Sequence, residues 1–525
     1  MSLLIFLAVF AVYISGSSPA IAPRDAADMA SSALTLGVAH PPGYPLYAAL
    51  GRAWLSLPAL GNPAYRLALL SAAAAAAAVA ALYGAVARRS GVWAGLSAAA
   101  LWAFSAPLWK FALIQEKYAL HALFIAGLFA LSEGEKASHW RRARLTGLLL
   151  GLGLVNHQSL LLWLPALAVL WRRECVRHGA AWTESAWAAA PWSAAGLALY
   201  LFLWIRLGSL GLAVSTALRS QYGTGTLFAG LAVPLTPERI FRLIAWSMKT
   251  WAAAVSPPGV AAAAVGAVLA WRGDRSRAAG LVLGAAMAGP LFVIVARLDT
   301  SNWVACTALE PAFLLPAMSA AVFAGEAVAR LKAAAPWTWG ILAAGALVFR
   351  SPFPERRDDF LAHDYARNLR RAVPPGGRLL AGGDTALFGM RWLELTEPRA
   401  PGREVSGAAM IDEKAWLGAG ARRGDDFVTG FVPRTLRPES LFPEGLVQRV
   451  ASRPRPAAAI VVLRRPRGWA RNESYVRDAK LSYAFAAWSS ARLLEARGLS
   501  PSPVLDMSAA AMDPEDYQLE SFTGP

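Results

Sequence analysis

Apolar runs of bilayer-spanning length dominate the first two thirds of the chain and predict an α-helical polytopic membrane protein. A transmembrane helix needs about 20 mainly apolar residues, and short polar or basic segments separate the runs. The first run has no basic segment before it, so we interpret it as a helix rather than a signal peptide. We predict eleven transmembrane helices, over residues 3–17, 66–87, 92–109, 117–132, 145–156, 158–171, 186–205, 252–270, 277–297, 309–331 and 336–350.

The apolar stretch 145–171 is interrupted by the polar residues Asn156-His157-Gln158. Polar side chains are costly in lipid, so these residues should face protein or a wet cavity. Basic segments flank both ends of the stretch, and a single tilted helix would place one of them outside. We therefore expect two half-length helices that meet at Asn156-His157. Hydrogen bonding between helices is the alternative to a functional role for these residues.

The composition changes near residue 350, where Arg, Asp, Glu and Pro become frequent. We predict a membrane domain over 1–350 and a soluble domain over 351–525. Periodicity predicts an α/β fold over 351–470, including a helix over 358–373 and strands in GRLLAGGD and AAIVVLRR. Residues 474–525 have the helical spacing of about one and a half tetratricopeptide-like repeats.

The net charge of +17 would suggest nucleic-acid binding in a soluble protein. Here many basic residues lie between apolar runs, where orientation signals belong, so we predict no nucleic-acid partner. The pattern places the N-terminus in the cytoplasm and, with eleven spans, residues 351–525 outside. The basic residues that carry this prediction are Arg88, Arg89, Lys136, Arg141, Arg142, Arg144, Arg172, Arg173, Arg177, Arg272, Arg275, Arg277 and Lys332.

The first outer loop, predicted over 18–65, contains the sharpest motif, RDAADMASSALTLGVAHPPGYPLY. Asp25 and Asp28 are three residues apart and share one face if the segment is helical. A carboxylate at the membrane surface can act as a general base or hold a divalent cation. The prolines of HPPGYP fix the backbone that carries His40 and Tyr44, and an imidazole can contact a phosphate. The plainer alternative is that Asp25 caps the helix and that Asp28 is solvated.

A second motif, QEKY followed by His121, places Glu116 beside Lys117 and Tyr118 at a membrane boundary. A buried acid at this position would be functional. The alternative is that Glu116 and Lys117 extend toward water from the end of a helix.

Arg297 and Asp299 stand at the outer end of the ninth predicted span. An arginine can clamp a phosphate with two parallel hydrogen bonds, or it can simply mark the membrane interface. The chain has no Walker loop, no histidine pair at metal spacing and no GxSxG motif. Its two cysteines, Cys175 and Cys306, lie in different loops, which indicates neither a disulfide framework nor a metal-binding pair.

The opening motif resembles that of a large bacterial membrane family, first catalogued as a domain of unknown function and related to protein O-mannosyltransferases of the GT-C superfamily. This chain has the family's aspartate at Asp25, its Leu36-Gly37 pair, and His40–Pro45. It differs in having Asp28 where the family usually has Glu, and Ala26-Ala27 in place of Ser-Gly.

Two later segments are similar to the same family in the same order. They are QEKYALHAL, which has His121 where the family has Asn, and GLGLVNHQSLLLWLPAL. The matching residues in them are Glu116, Tyr118, Leu120, Asn156-His157 and Pro165.

This resemblance implies a GT-C glycosyltransferase, expected to invert the sugar, that uses a polyprenyl-phosphate-linked sugar at the outer face of the bacterial inner membrane. The acceptor would be a protein hydroxyl or a glycan. Asp25 would be the general base, Asp28 or Glu116 would assist it, and His40 and Arg297 would stabilise the leaving phosphate. No cofactor is implied with certainty, and the two aspartates are compatible with a divalent cation. The other expected substrate-binding residues are Tyr44, Tyr118, His121, Asn156, His157 and Asp299.

Two alternatives belong to other functional classes. A lipid-linked glycan transporter or flippase would line a path with residues such as Asn156 and His157, but the internal repeat typical of transporters is absent from the sequence. A non-catalytic scaffold would use the C-terminal helices to recruit partners.

Overall fold

The computed structural model divides the chain into two compact units. The membrane unit comprises Met1–Ser17 and Ser32–Glu355, and the C-terminal unit comprises Ser18–Ser31 and Arg356–Pro525. Segment Ser18–Ser31, predicted as part of the membrane domain, thus groups with the C-terminal unit. The structure describes residues 1–58, 61–134, 139–220, 233–301, 303–349, 355–397, 402–408, 412, 415–416, 426–431, 438–451, 464 and 474–501.

Residues 1–355 are almost entirely helical where the structure describes them. Short 3₁₀ segments and one π-helical turn, Met287–Leu291, connect some of the helices. The helices are α1 Ser2–Gly16, α2 Ala26–Thr35, α3 Pro45–Ser56, α4 Pro63–Ser90, α5 Val92–Ala103, α6 Ala106–Ala112, α7 Lys117–Ser132, α8 His139–Asn156, α9 Leu164–His178, α10 Trp182–Leu197, α11 Leu201–Leu207, α12 Leu210–Ala217, α13 Pro237–Val255, α14 Pro257–Gly273, α15 Arg275–Ala286, α16 Phe292–Ala296, α17 Trp303–Leu309, α18 Leu314–Ala329 and α19 Ala335–Val348.

Several of these helices are long and apolar enough to cross a bilayer. Within the described ranges there are four, or up to six if each of two bent helix pairs is one span. The bent pairs, α5 with α6 (67°) and α13 with α14 (105°), replace straight helices predicted over 92–109 and 252–270. The apolar helices α1 and α7 are shorter, and the count of eleven spans stays a prediction. The four long helices are Pro63–Ser90, Trp182–Leu207, Arg275–Ala296 and Ala305–Ala329.

The polar interruption near residue 156 does end a helix. Helix α8 stops at Asn156, His157 is extended (φ −157°, ψ 120°), and a 3₁₀ segment leads into α9. Both helices continue into the basic segments that were predicted to be loops, since α8 already begins at His139. The predicted loop 18–65 likewise contains the helices α2 and α3 and the start of α4.

Small residues let the helices of the membrane unit approach closely. A Cβ atom added at Gly151 would lie 2.2 Å from the Ser193 carbonyl oxygen, and one added at Gly266 would lie 1.6 Å from the Phe323 carbonyl oxygen. A side chain at Gly151 would therefore push α8 and α10 apart, and one at Gly266 would push α14 and α18 apart. The alanine run of α4 is largely buried, as expected for packing through small residues.

A group of buried and partly exposed ion pairs lies around the C-terminal end of α7, and we call it the arginine cluster. Arg277 Nε lies 2.7 Å from Glu133 Oε1, and Arg277 Nη1 lies 2.8 Å from Glu326 Oε1. These arginines were predicted as loop charges, but they sit in α4, α9 and α15 and pair with acids. The cluster consists of Arg89, Glu133, Arg173, Asp274, Arg277 and Glu326.

Within its described residues, the C-terminal unit contains a mixed five-stranded sheet, ordered β2-β1-β3-β5-β4. Strand β1 pairs in parallel with β2 and β3, whereas β5 is antiparallel to β3 and β4. The predicted helix and first strand are present as α20 and β1, but most of AAIVVLRR and residues 502–525 lie outside the described residues. The elements are α20 Leu361–Ala372, β1 Arg378–Ala381, α21 Asp384–Thr396, β2 Glu404–Gly407, β3 Asp426–Thr429, β4 Leu441–Glu444, β5 Val447–Val450 and α22 Ser474–Glu495.

Candidate active site

The HPPGYP turn places Tyr44 at the start of α3. The Gly43 N–H donates to the His40 carbonyl (2.9 Å), and Tyr44, at φ 45°, precedes Pro45, the first residue of the helix. Gly43 has φ 91°, and a Cβ there would lie 2.7 Å from Leu203 Cδ2, so both conformation and space favour glycine. The His40 and Tyr44 rings meet edge to face with centroids 5.1 Å apart.

Glu116 and Lys117 form a buried ion pair at the N-terminal end of α7. Lys117 Nζ lies 3.0 Å from Glu116 Oε2, and both side chains are 0% exposed. Of the two alternatives, the buried position is therefore the one found, and neither side chain extends toward water. The ammonium group also lies 4.9 Å from the Tyr44 ring centroid and 4.7 Å from that of Tyr118, where the faces of the rings attract a cation.

Two imidazoles adjoin these aromatic rings. The His157 ring centroid lies 5.2 Å from that of Tyr118 and 5.1 Å from that of His121. Ser159 bridges the two histidines, with its hydroxyl 2.6 Å from His157 Nδ1 and 3.1 Å from His121 Nε2. The break after α8 makes this bridge possible, because it turns His157 out of the helix.

We call this group the aromatic cluster: Tyr44, Glu116, Lys117, Tyr118, His121, His157 and Ser159. Residues from three separate motifs meet in it. Asn156 supports it from the side, since its amide donates to the Lys117 carbonyl (3.2 Å), which agrees with the interhelical hydrogen bond considered above. Lys117 and Ser159 are not among the site residues predicted from the sequence, although a lysine between Glu116 and Tyr118 was a usable signal.

The cluster has the chemical means to bind a polar ligand. Imidazole, hydroxyl and ammonium groups supply donors, and the tyrosine faces supply surfaces for a sugar or a cation. The Glu116–Lys117 pair is fully buried, so its electrostatic interactions are stronger than they would be in solution.

Asp25 and Asp28 lie in the C-terminal unit, at the start of α2. Asp25 immediately precedes the helix, and its carbonyl accepts from the Met29 N–H (2.8 Å), whereas Asp28 lies in the first turn. Both side chains are partly buried. Negative charge is favourable at a helix N-terminus, so capping and catalysis are compatible roles. Among the residues the structure describes, no three His, Cys, Asp or Glu side chains are grouped to hold a metal, and a cation at the aspartates stays a prediction.

Arg297 and Asp299 follow α16 and contribute to local turns. Arg297 is exposed, and its carbonyl accepts from the Val233 N–H (2.9 Å). The backbone N–H and the hydroxyl of Ser301 donate to Asp299 Oδ1 and hold the pKa of that carboxyl below its usual value. Within the described ranges, neither residue shares a hydrogen bond, an ion pair or a ring contact with the aromatic cluster.

The first part of the chain matches a known family. The model of the protein O-mannosyl-transferase TMEM260 N-terminal domain matches residues 25–177, which include all three motifs. The predicted resemblance to O-mannosyltransferases is confirmed. Mouse (Mus musculus) protein O-mannosyl-transferase TMEM260 is 33% identical over 169 residues, which cover 31% of this chain and 24% of the mouse protein. The match thus spans about a quarter of the length of that O-mannosyltransferase.

Solved structures of ArnT from Cupriavidus metallidurans are similar across most of the chain. The complex with undecaprenyl phosphate has a TM-score of 0.51 at 12% identity and covers 82% of this chain and 92% of that one. The apo structure has a TM-score of 0.52 at 13% identity, with coverage of 86% and 98%. At such identities the likeness concerns the fold. Together with the apolar helices, it makes this chain a multi-pass membrane protein.

Proposed function

We propose that this protein is a GT-C glycosyltransferase that moves a sugar from a polyprenyl-phosphate donor to a protein hydroxyl or a glycan. The observation that carries the proposal is the convergence of three O-mannosyltransferase-like motifs in the aromatic cluster. The match to an O-mannosyltransferase domain over residues 25–177 supports the reaction class. The fold shared with ArnT, solved with undecaprenyl phosphate, supports a polyprenyl-phosphate-linked donor. The proposed reaction takes place at the outer face of a bacterial inner membrane, as the sequence resemblance implies.

The proposed reaction is a single displacement at the anomeric carbon. The acceptor oxygen forms a bond to this carbon as the bond to the phosphate oxygen breaks, so the configuration inverts. Asp25 takes the acceptor proton, and the phosphate leaves with the bonding electrons. Asp28 or Glu116 assists the base, while His40 and Arg297 stabilise the developing negative charge, which requires donors in fixed positions.

The remaining predicted residues receive binding roles. Tyr44 and Tyr118 offer ring faces to the sugar, and His121 and His157 offer imidazole nitrogens to its hydroxyl groups. Asn156 and Asp299 act through the backbone segments that they support.

The test compares Asp25→Asn with wild-type protein in sugar transfer from purified polyprenyl-phosphate sugars to a panel of peptide and glycan acceptors. Loss of a general base lowers the rate by about 10²–10⁴-fold, and we expect a loss in this range. Asp358→Asn is the matched control, because Asp358 is an exposed aspartate of the same unit and should leave transfer unchanged.

Two outcomes would overturn the proposal. Equal transfer by Asp25→Asn and wild type would show that Asp25 is not the base. Movement of the lipid-linked sugar across proteoliposomes by the wild type, without transfer from any donor in the panel, would favour the transporter.

A further inference from the structure

The segment that carries both aspartates is held by the C-terminal unit. It begins just after α1 ends at Gly16 and runs through Ser18–Ser31. Ile21, which is 2% exposed, packs beside α21, where a Cβ added at Gly389 would lie 3.8 Å from its Cδ1. The segment is therefore packed within the C-terminal unit.

The residue before Asp25 makes the most specific contact. The Arg24 N–H donates to the Thr385 hydroxyl oxygen at 3.1 Å. Thr385 is 3% exposed and stands in the first turn of α21, directly after the turn that follows β1. A buried hydroxyl on a helix packed against the sheet is a fixed point for the backbone.

The Arg24 side chain meets a second element of the same unit. Its Cζ lies 5.7 Å from the ring centroid of Tyr475 on α22, and the Cζ of Arg356 lies 6.0 Å from that centroid. Tyr475 is buried, and Arg356 is held by Asp359 at 2.7 Å. A guanidinium over a tyrosine contributes about 0.5–2 kcal/mol, so Arg24 is held through both its backbone and its side chain.

These contacts hold a backbone conformation that is otherwise unfavourable. Arg24 has φ 62°, in the left-handed region, which costs a residue with a side chain about 1–2 kcal/mol. This conformation directs the chain into α2, where the Asp25 carbonyl accepts the hydrogen bond from Met29. If Arg24 relaxed, Asp25 would turn with it.

We propose that Thr385 and Tyr475 are positioning residues for Asp25, so that the C-terminal unit fixes the orientation of the proposed base. This inference rests on the proposed role of Asp25. It assigns the C-terminal unit a role in the rate of transfer and not only in presenting an acceptor or a partner.

The test uses full-length protein and the pair Thr385→Val and Thr385→Ser. Valine keeps the shape of threonine but cannot accept the Arg24 hydrogen bond, whereas serine keeps the hydroxyl. Small displacements of a reacting group reduce rates by up to about 10²-fold. We expect Thr385→Val to lower kcat about tenfold with the donor KM unchanged. Thr385→Ser should keep a kcat close to that of the wild type.

Thr396→Val is the matched control. Thr396 lies at the other end of α21, and its hydroxyl donates to the Trp392 carbonyl (2.8 Å) within the helix, so its loss should lower Tm without changing kcat. Hydrogen exchange gives a readout besides activity: residues 18–31 should exchange faster in Thr385→Val and not in Thr396→Val. Tyr475→Leu, which removes the ring beside Arg24, should reproduce the Thr385→Val result.

The outcomes separate the two proposals. If Asp25→Asn transfers sugar normally, the base assignment fails whatever Thr385 does. If Asp25→Asn is inactive but Thr385→Val keeps wild-type kcat and wild-type exchange over residues 18–31, only the positioning role is overturned. In the Asp25→Asn background, Thr385→Val should cause no further loss of transfer.

Discussion

Buried charges lie at both ends of α7, but the two clusters differ in composition. The helix has 16 residues and is therefore about 24 Å long. At its start, the Glu116–Lys117 pair adjoins the rings of Tyr44 and Tyr118, and the His157 ring lies next to that of Tyr118. At its end, Glu133 lies within 4 Å of three arginines, which also pair with Asp274 and Glu326.

The arrangement of the partners suggests different roles for the two clusters. In the arginine cluster each acid has at least one arginine, and the pairs tie α4, α9, α15 and α18 to the end of α7. Such a network holds helices together. In the aromatic cluster the ion pair adjoins tyrosine rings, and imidazoles lie next to those rings. A ligand can bind to these rings and imidazoles. A buried charge is therefore a weak sign of a site unless the groups around it can also bind a substrate.

Removing both charges of the aromatic cluster is the strongest way to test this comparison. Replacing a buried ion pair by uncharged groups of similar size is often neutral for stability. The Tm of the double variant Glu116→Gln, Lys117→Met should therefore change little. Its sugar transfer should fall by about 10²-fold or more, because the proposed assisting acid is lost. Tm in detergent and the transfer rate of the same preparation measure the two effects. A large fall in Tm with normal transfer would assign this cluster to structure as well.

Removing one acid of the arginine cluster should have the opposite signature. Glu133→Gln leaves Arg277 and its neighbours buried without their main counter-charge, and breaking a buried pair costs about 3–5 kcal/mol. We expect a marked loss of Tm and yield, with kcat per folded molecule retained.

The control for that variant is Glu238→Gln, because Glu238 pairs with Arg242 on α13 with both side chains exposed (77% and 67%). Exposed pairs contribute little, so its Tm should stay close to that of wild type. Reduced kcat in well-folded Glu133→Gln would contradict the structural role of the arginine cluster.

The smallest expected effect concerns an ion-pair group outside the membrane unit. Burial raises the pKa of Glu394, but hydrogen bonds from Arg370 and the Arg403 N–H outweigh it, so the pKa lies below its usual value. The unfolded chain then binds this proton more readily than the folded one. The stabilisation is present above about pH 4.3 and is lost as the pH falls through the lower folded value. Tm measured against pH should fall less steeply in acid for Glu394→Gln than for wild type.

Local patterns predicted several elements well. The helix expected over 117–132 has those bounds, and the polar residues at 156–158 ended α8 where two helices were expected to meet. The prolines of HPPGYP indicated a rigid turn at His40 and Tyr44, although the helix α3 that follows it was not predicted. These features depend on neighbours in the sequence, since hydrophobic length, helix-ending polar residues and proline act over a few positions.

Other features depend on partners far along the chain. Arg89 and Asp274 are 185 positions apart, so no local pattern distinguished this arginine from an orientation signal in a loop. Likewise, nothing near Asp25 indicates that Thr385, 361 positions beyond Arg24, accepts a hydrogen bond from the segment. The sequence leaves the exposure of Lys117 open, because its burial depends on Tyr44 and Tyr118, and Tyr44 is brought to it only by the folded chain.

The amino-acid sequence alone determined that this chain is a helical membrane protein with a mixed C-terminal region, because the lengths of apolar runs and the change of composition are properties of consecutive residues. It also determined which motifs resemble those of O-mannosyltransferases. Only the tertiary structure decided which charges are paired, which motifs meet, and which unit holds residues 18–31. Those outcomes depend on burial and on distances between remote residues, which arise only when the helices pack.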